Sequence, residues 1–189
     1  RAGRSWIATQ GGGVNIWDGR GFWIYREAQG LSGDIVYDLM EDTEGRIWIA
    51  TLQGVSVWDG KQFMHLTEAE GLIGNTVRQL LEDRDGNIWI ATREGLAVWD
   101  GEGFTWYTKE DGLVDNDLWT LLEDRRGHIW IGTHAGGGVN VWDGESFRSF
   151  TEAEGLRGSS GRCLLEDRAG NIWIGTLGGG VNIWKPSGF

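Results

Sequence analysis

Four adjacent acidic pairs are the first residues whose types and spacing invite chemistry: Glu41-Asp42, Glu82-Asp83, Glu123-Asp124 and Glu166-Asp167. Neighbouring carboxylates can act as general acid and base where their environments hold their pKa values apart. A catalytic pair occurs once in a protein. Four copies, each at the entry to a turn, read as structural, with the aspartate accepting backbone N–H bonds. Asp83-Arg84-Asp85-Gly86-Asn87 looks like a calcium loop, with Glu94 at the twelfth position, but its glycine falls fourth where the EF-hand needs it sixth. No metal site is expected. Gly11-Gly12-Gly13, Gly136-Gly137-Gly138 and Gly178-Gly179-Gly180 lack the Lys-Ser/Thr and the helix of a phosphate cradle. His65, His128 and His134 have no ligand spacing and complete no Ser-His-Asp set. Cys163, the one cysteine, sits in an apolar run and reads as a small core residue. No cofactor is expected.

A different set varies where its neighbours are constant in type: Tyr37, Arg78, Trp119 and Arg162. Aromatic faces and guanidinium groups suit sugars and carboxylates, by stacking and by paired hydrogen bonds. Four more candidates, Gln10, Gln53, Arg93 and His134, lie in loops of variable length.

A tandem repeat must position these residues. Trp6, Trp48, Trp89, Trp130 and Trp173 each sit in a short Trp-Ile-Ala/Gly-Thr run, and a second tryptophan follows at Trp17, Trp58, Trp99, Trp142 and Trp184. The third copy predicts four strands. Val77 to Leu81 is strand A, Asn87 to Thr92 strand B, Leu96 to Trp99 strand C and Phe104 to Tyr107 strand D. Asp83-Arg84-Asp85-Gly86 joins A to B, and Asp100-Gly101 is a hairpin signal between C and D. Lys109 to Asn116 crosses to the next unit. Four short antiparallel strands in about 41 residues match one blade of a β-propeller. The expected fold is an all-β propeller arc of about five sectors, built from four-stranded blades of ~41–43 residues. One continuous repeat domain over 1–189 is expected, with repeats near 1–34, 35–75, 76–116, 117–159 and 160–189. Helical runs are absent.

From the second Trp of one repeat to the first Trp of the next is always 31 residues (17 to 48, 58 to 89, 99 to 130, 142 to 173), so length varies only in the B–C loop. Insertions in repeat folds gather on one face, often the binding face. Strand A is the innermost of a blade, so its varied position is expected to face the central channel.

The ends do not match a closed ring. The first repeat lacks strand A and the last lacks strand D, giving eighteen strands where five full blades need twenty. Lys185-Pro186 replaces Asp-Gly at the last turn and suits an edge. The chain starts inside a repeat without Met, which reads as a trimmed, processed or engineered end. Bare end blades carrying Trp and Ile are expected to be covered, by another copy of the chain or by part of a longer parent. A homo-oligomer, dimer or larger, is therefore expected.

The net charge is −11, so the average surface repels phosphate, which argues against nucleic acid and anionic membranes as partners. No apolar stretch approaches the ~20 residues that span a membrane.

The pattern Leu80-Leu81-Glu82-Asp83-Arg84-Asp85-Gly86-Asn87-Ile88-Trp89-Ile90-Ala91-Thr92, then Gly95-Leu96-Ala97-Val98-Trp99, Phe104 and Gly112-Leu113, resembles the two-component regulator propeller repeat. The resemblance covers essentially the whole chain. It implies a sensor-type propeller, periplasmic or extracellular, recognising carbohydrate or another ligand. Trp-Asp pairs such as Trp99-Asp100 are similar to WD40 repeats more weakly, since Gly-Leu stands where Gly-His would precede strand A. Three functions stay open. The first is a non-catalytic module binding a small ligand, glycan or peptide through the channel mouth and B–C loops. The second is an engineered or fragmentary self-assembling propeller without a ligand. The third is a propeller lyase or hydrolase, which would need one repeat to carry acid, base or metal residues that the others lack.

Overall fold

The computed structural model describes residues 3–134 and 136–185. Five antiparallel sheets follow one another along the chain. The first holds β1 (Ser5–Ala8), β2 (Val14–Trp17) and β3 (Phe22–Tyr25). The second holds β4 (Val36–Glu41), β5 (Ile47–Thr51), β6 (Gly54–Trp58) and β7 (Phe63–Leu66). The third holds β8 (Val77–Glu82), β9 (Ile88–Thr92), β10 (Leu96–Trp99) and β11 (Phe104–Tyr107). The fourth holds β12 (Leu118–Glu123), β13 (Ile129–Thr133), β14 (Val139–Trp142) and β15 (Phe147–Phe150). The fifth holds β16 (Gly161–Glu166), β17 (Ile172–Thr176) and β18 (Gly180–Trp184). Each sheet is a blade whose strands lie side by side in chain order. Among the described residues, the eighteen strands and the two three-stranded end sheets agree with the repeat arithmetic.

Turn chemistry sets the blade edges. Asp59 Oδ1 accepts the backbone N–H groups of Lys61 and Gln62 at 2.7 and 2.8 Å, and Gly60 takes φ 97°. The Asx geometry and a left-handed glycine close the hairpin between β6 and β7. The crossing from blade to blade contains a single 3-10 turn, which the strand reading left as plain loop. At Glu68–Glu70 the Thr67 hydroxyl accepts the Ala69 N–H, while the Glu70 carboxylate accepts the Thr67 N–H, a capping box. Leu72, just beyond it, is buried between the second and third blades.

The core lies between blades. Along strand B, side chains alternate faces with period two. Trp48 and Ala50 pack forward onto Leu80, Ile88 and Ile90 of the next blade. Ile49 packs backward onto Val14 and Ile16. The same arrangement recurs between the third and fourth blades and between the fourth and fifth. Burying an Ile or Leu side chain contributes about 1.5–3 kcal/mol, so stability is spread over four similar interfaces.

The end blades keep one apolar face each. Ile7 is 41% exposed, whereas Ile49, at the equivalent position, is fully buried. Trp173 is 39% exposed, against 5% or less for Trp48, Trp89 and Trp130. Cys163 corrects the expectation of a core residue: it is exposed. It points to the same uncovered face as Leu165, Trp173 and Val181, and the apolar run around it has no neighbouring blade to enter. Pro186, on which the edge reading rested, lies outside the described residues.

Candidate functional site

Strand A of each of the last four blades carries a defect at one position. Pairing between β4 and β5 runs Val36 with Thr51, then Asp38 with Ala50. Tyr37 is skipped. The same shift skips Arg78 between β8 and β9, Trp119 between β12 and β13, and Arg162 between β16 and β17. The extra residue of a β-bulge leaves the ladder and its side chain is re-aimed. The four residues that vary in type are the four bulged residues.

Their side chains meet. The Arg78 guanidinium lies 4.8 Å from the Tyr37 ring centroid and 4.7 Å from that of Trp119, and the Arg162 guanidinium lies 4.5 Å from Trp119. Cation–π attraction holds this column. It lines a cavity of about 260 Å3, with Asp38, Gln79 and Thr120 completing the wall. These wall residues follow the bulges in sequence, and two of them tie blades together. Asp38 Oδ2 accepts the Leu80 N–H at 3.0 Å, and Gln79 Oε1 accepts the Leu121 N–H at 2.7 Å. Burial pushes the Asp38 carboxyl above its ordinary value, against the pull of the Leu80 and Leu39 N–H donors.

His134 joins the column from the longest B–C loop. Its ring stacks on Trp119 with centroids 4.9 Å apart. Its Nδ1 lies 3.1 Å from Asp117 Oδ2, and its backbone N–H donates to the Asp117 carbonyl at 2.7 Å. None of the four loop candidates lines the cavity itself, and the other three do not reach the column. Gln10 is exposed and bridges to Ile35. Gln53, with its amide nitrogen turned inward, donates to Glu27 Oε1 and the Ser32 carbonyl at 2.8 and 2.9 Å, holding the crossing segment. Arg93 is exposed, and its backbone N–H donates to the Thr76 carbonyl. Asp38, Gln79 and Thr120 were missed by sequence reasoning. The signal lay in their place beside the varied residues.

The acidic pairs are far from this cavity in role. Each aspartate binds the strand B tryptophan of its own blade, as Asp83 Oδ2 accepts Trp89 Nε1 at 2.7 Å. Three of the glutamates hold the turn of the preceding blade: Glu82 accepts Thr43, Glu123 pairs with Arg84, and Glu166 accepts the Arg125 N–H. Among the described residues, no group of three or more His, Cys, Asp or Glu could hold a metal ion.

The profile of the two-component regulator propeller matches residues 30–53, 71–94, 112–135 and 156–178, half of the chain. The chain belongs to the two-component regulator propeller family. Each match runs from the Gly-Leu crossing through the A–B hairpin, so the bulge and its cavity lie inside the family repeat. Among solved structures, this propeller is similar to the extracellular domain of the hybrid two-component system BT3049 from B. thetaiotaomicron, at 25% identity and TM-score 0.84 over 97% of this chain and 26% of that one. It is also similar to the extracellular domain of the one-component system BT4673 from the same organism, at 23% identity and TM-score 0.82 over 98% of this chain and 28% of that one. A virginiamycin B lyase from Staphylococcus aureus, with quinupristin, shares the fold at 14% identity and TM-score 0.75, over 99% of this chain and 64% of that one. The chain thus spans about a quarter of the length of the first two. No curated protein matches the chain. No helix among the described residues is long and apolar enough to cross a membrane.

Proposed function

We propose that this propeller is a non-catalytic recognition module, one continuous repeat domain that binds a small ligand at its channel. One observation carries the reading: the bulged residues of four successive blades converge on a single cavity. Packing does not call for a Tyr, two Arg and a Trp at a position outside the ladder. Recognition does, since rings and guanidinium groups offer both stacking and directed hydrogen bonds. The likeness to extracellular sensor domains supports an extracytoplasmic setting. Binding is measured by calorimetry against a panel of neutral sugars, sugar acids and amino acids. Trp119→Ala is expected to weaken any ligand found by at least tenfold. A ligand that binds Trp119→Ala unchanged overturns the channel as the site.

A second reading concerns the bare end faces. The face with Ile7 and Trp17 repeats the type of face that every later blade turns backward, and the face with Trp173 and Val181 repeats the type turned forward. A second copy, docked head to tail, would restore the packing already present four times. Light scattering is expected to give twice 21.0 kDa. A monomer at all concentrations sinks this reading and leaves the channel reading standing.

A further inference from the structure

The channel column leaves two cations unanswered. The Arg78 guanidinium lies over the Tyr37 and Trp119 rings, and that of Arg162 lies over the same indole. An aromatic ring offers no hydrogen-bond acceptor for the paired Nε–H and Nη–H donors along a guanidinium edge. Nε of Arg78 and Nε of Arg162 are buried and have no hydrogen-bond partner among the described residues. Neither group has an acidic partner among the described residues. The acid in the cavity wall, Asp38, accepts the Leu39 N–H at Oδ1 and the Leu80 N–H at Oδ2. In a chain with 28 acidic and 17 basic residues, this pocket holds two guanidinium groups to one carboxylate.

We infer that the channel site takes a compact carboxylate ligand, its two oxygens bound by the Nε–Nη edge of Arg78 or Arg162 and its body lying in the remaining cavity. The inference rests on the recognition reading above and names its ligand class. A planar carboxylate matches the paired donors of a guanidinium edge. A tetrahedral phosphate or sulfate is commonly met by a backbone nest or a helix N-terminus, and the cavity wall is strand. The volume of about 260 Å3 suits a molecule the size of one sugar or one aromatic acid.

The test uses isosteric pairs on the full chain: benzoate against benzamide, and glucuronate against glucose, with inorganic sulfate as a third arm, all by calorimetry at low ionic strength. At least one carboxylate is expected to bind ten times or more tighter than its neutral counterpart. Arg78→Gln or Arg162→Gln, at whichever guanidinium holds the carboxylate, should lower that affinity tenfold or more, and the double variant should do so in either case, while Arg93→Gln, outside the cavity, leaves it unchanged. Circular dichroism melting of each variant without ligand identifies those that remain folded. If a folded Arg78→Gln, Arg162→Gln double variant binds the carboxylate as well as the parent, the inference falls. Equal binding of neutral and charged members overturns the carboxylate class but keeps the recognition reading. Sulfate binding as tightly as the carboxylates, with the same arginine dependence, overturns it in favour of a general oxyanion site. No binding by any member at millimolar concentration overturns both readings.

Discussion

Trp48 Nε1 donates to Asp42 Oδ2 at 2.8 Å, across the turn that joins β4 to β5, and both side chains are buried. The other Oδ of the same carboxylate accepts the Arg46 N–H at 2.7 Å. The bond recurs as Trp89 with Asp83, Trp130 with Asp124 and Trp173 with Asp167. A buried indole carries one N–H that needs a partner. The turn aspartate supplies it and ties strand B to its own hairpin. This gives the recurrence of the four acidic pairs a structural cause.

Removing one such carboxylate should be costly. Asp124→Ala leaves the Trp130 indole N–H and the backbone N–H groups of Arg126 and His128 without their acceptor. Buried donors left unpaired cost about 1–3 kcal/mol each where water cannot reach them. A loss of about 2–4 kcal/mol in urea unfolding is expected. Asp85→Ala, on an exposed side chain of a similar turn, should change stability by no more than about 0.5 kcal/mol. Equal effects of the two substitutions would refute the assignment.

Acid should weaken the fold through the same groups. Burial raises the Asp42 and Asp124 carboxyls, but the Trp48 and Trp130 indoles and the backbone donors outweigh it and hold both below the ordinary value. Asp167 is held low by Trp173, then by Asn171. A carboxyl lower in the folded state stabilises above its unfolded pKa, about 4 for aspartate. That contribution fades as pH falls through the folded value. Asp38, raised by burial, works in the opposite sense. The urea midpoint should therefore drop from pH 4 downward, and drop less in Asp124→Asn. A midpoint flat down to pH 2 contradicts this.

The tryptophans should separate by place, not by motif. Trp89 is 5% exposed between two blades, and Trp89→Ala should cost roughly 3–5 kcal/mol. Trp173 occupies the same motif position on the bare face of the fifth blade. Trp173→Ala should cost about 1 kcal/mol or less in a monomeric chain. Comparable losses would mean that this face is covered in solution, and an unchanged melting temperature for Trp89→Ala would remove it from the core.

Much of this was readable in advance, for stated reasons. The Asp-Gly hairpins and the period-two alternation around Ile88-Trp89-Ile90 placed β8 to β11 within a residue, because turn residues and pleat act locally. The two short-handed end blades followed from counting. The bulges were not readable: Val77-Arg78-Gln79-Leu80 is an ordinary strand sequence, and the skipped pairing depends on the partner strand. The capping box Thr67-x-x-Glu70 was in plain view and was passed over between two strands. Cys163 misled because an apolar run says nothing of whether a neighbouring blade exists. Gln10, Gln53 and Arg93 share a loop type with His134, yet strand A is closer to the axis than the B–C loops, and only the loop ending at Gly138 brings a side chain onto Trp119.

The bulge gives each blade a position under unusually weak folding constraint. A residue outside the ladder and outside the interblade core can be exchanged without disturbing register or packing. On the recognition reading proposed above, Tyr37, Arg78, Trp119 and Arg162 are interchangeable keys set in a common lock body, and such a scaffold would drift from one ligand to another by single substitutions, one blade at a time, with little threat to its own survival as a folded chain.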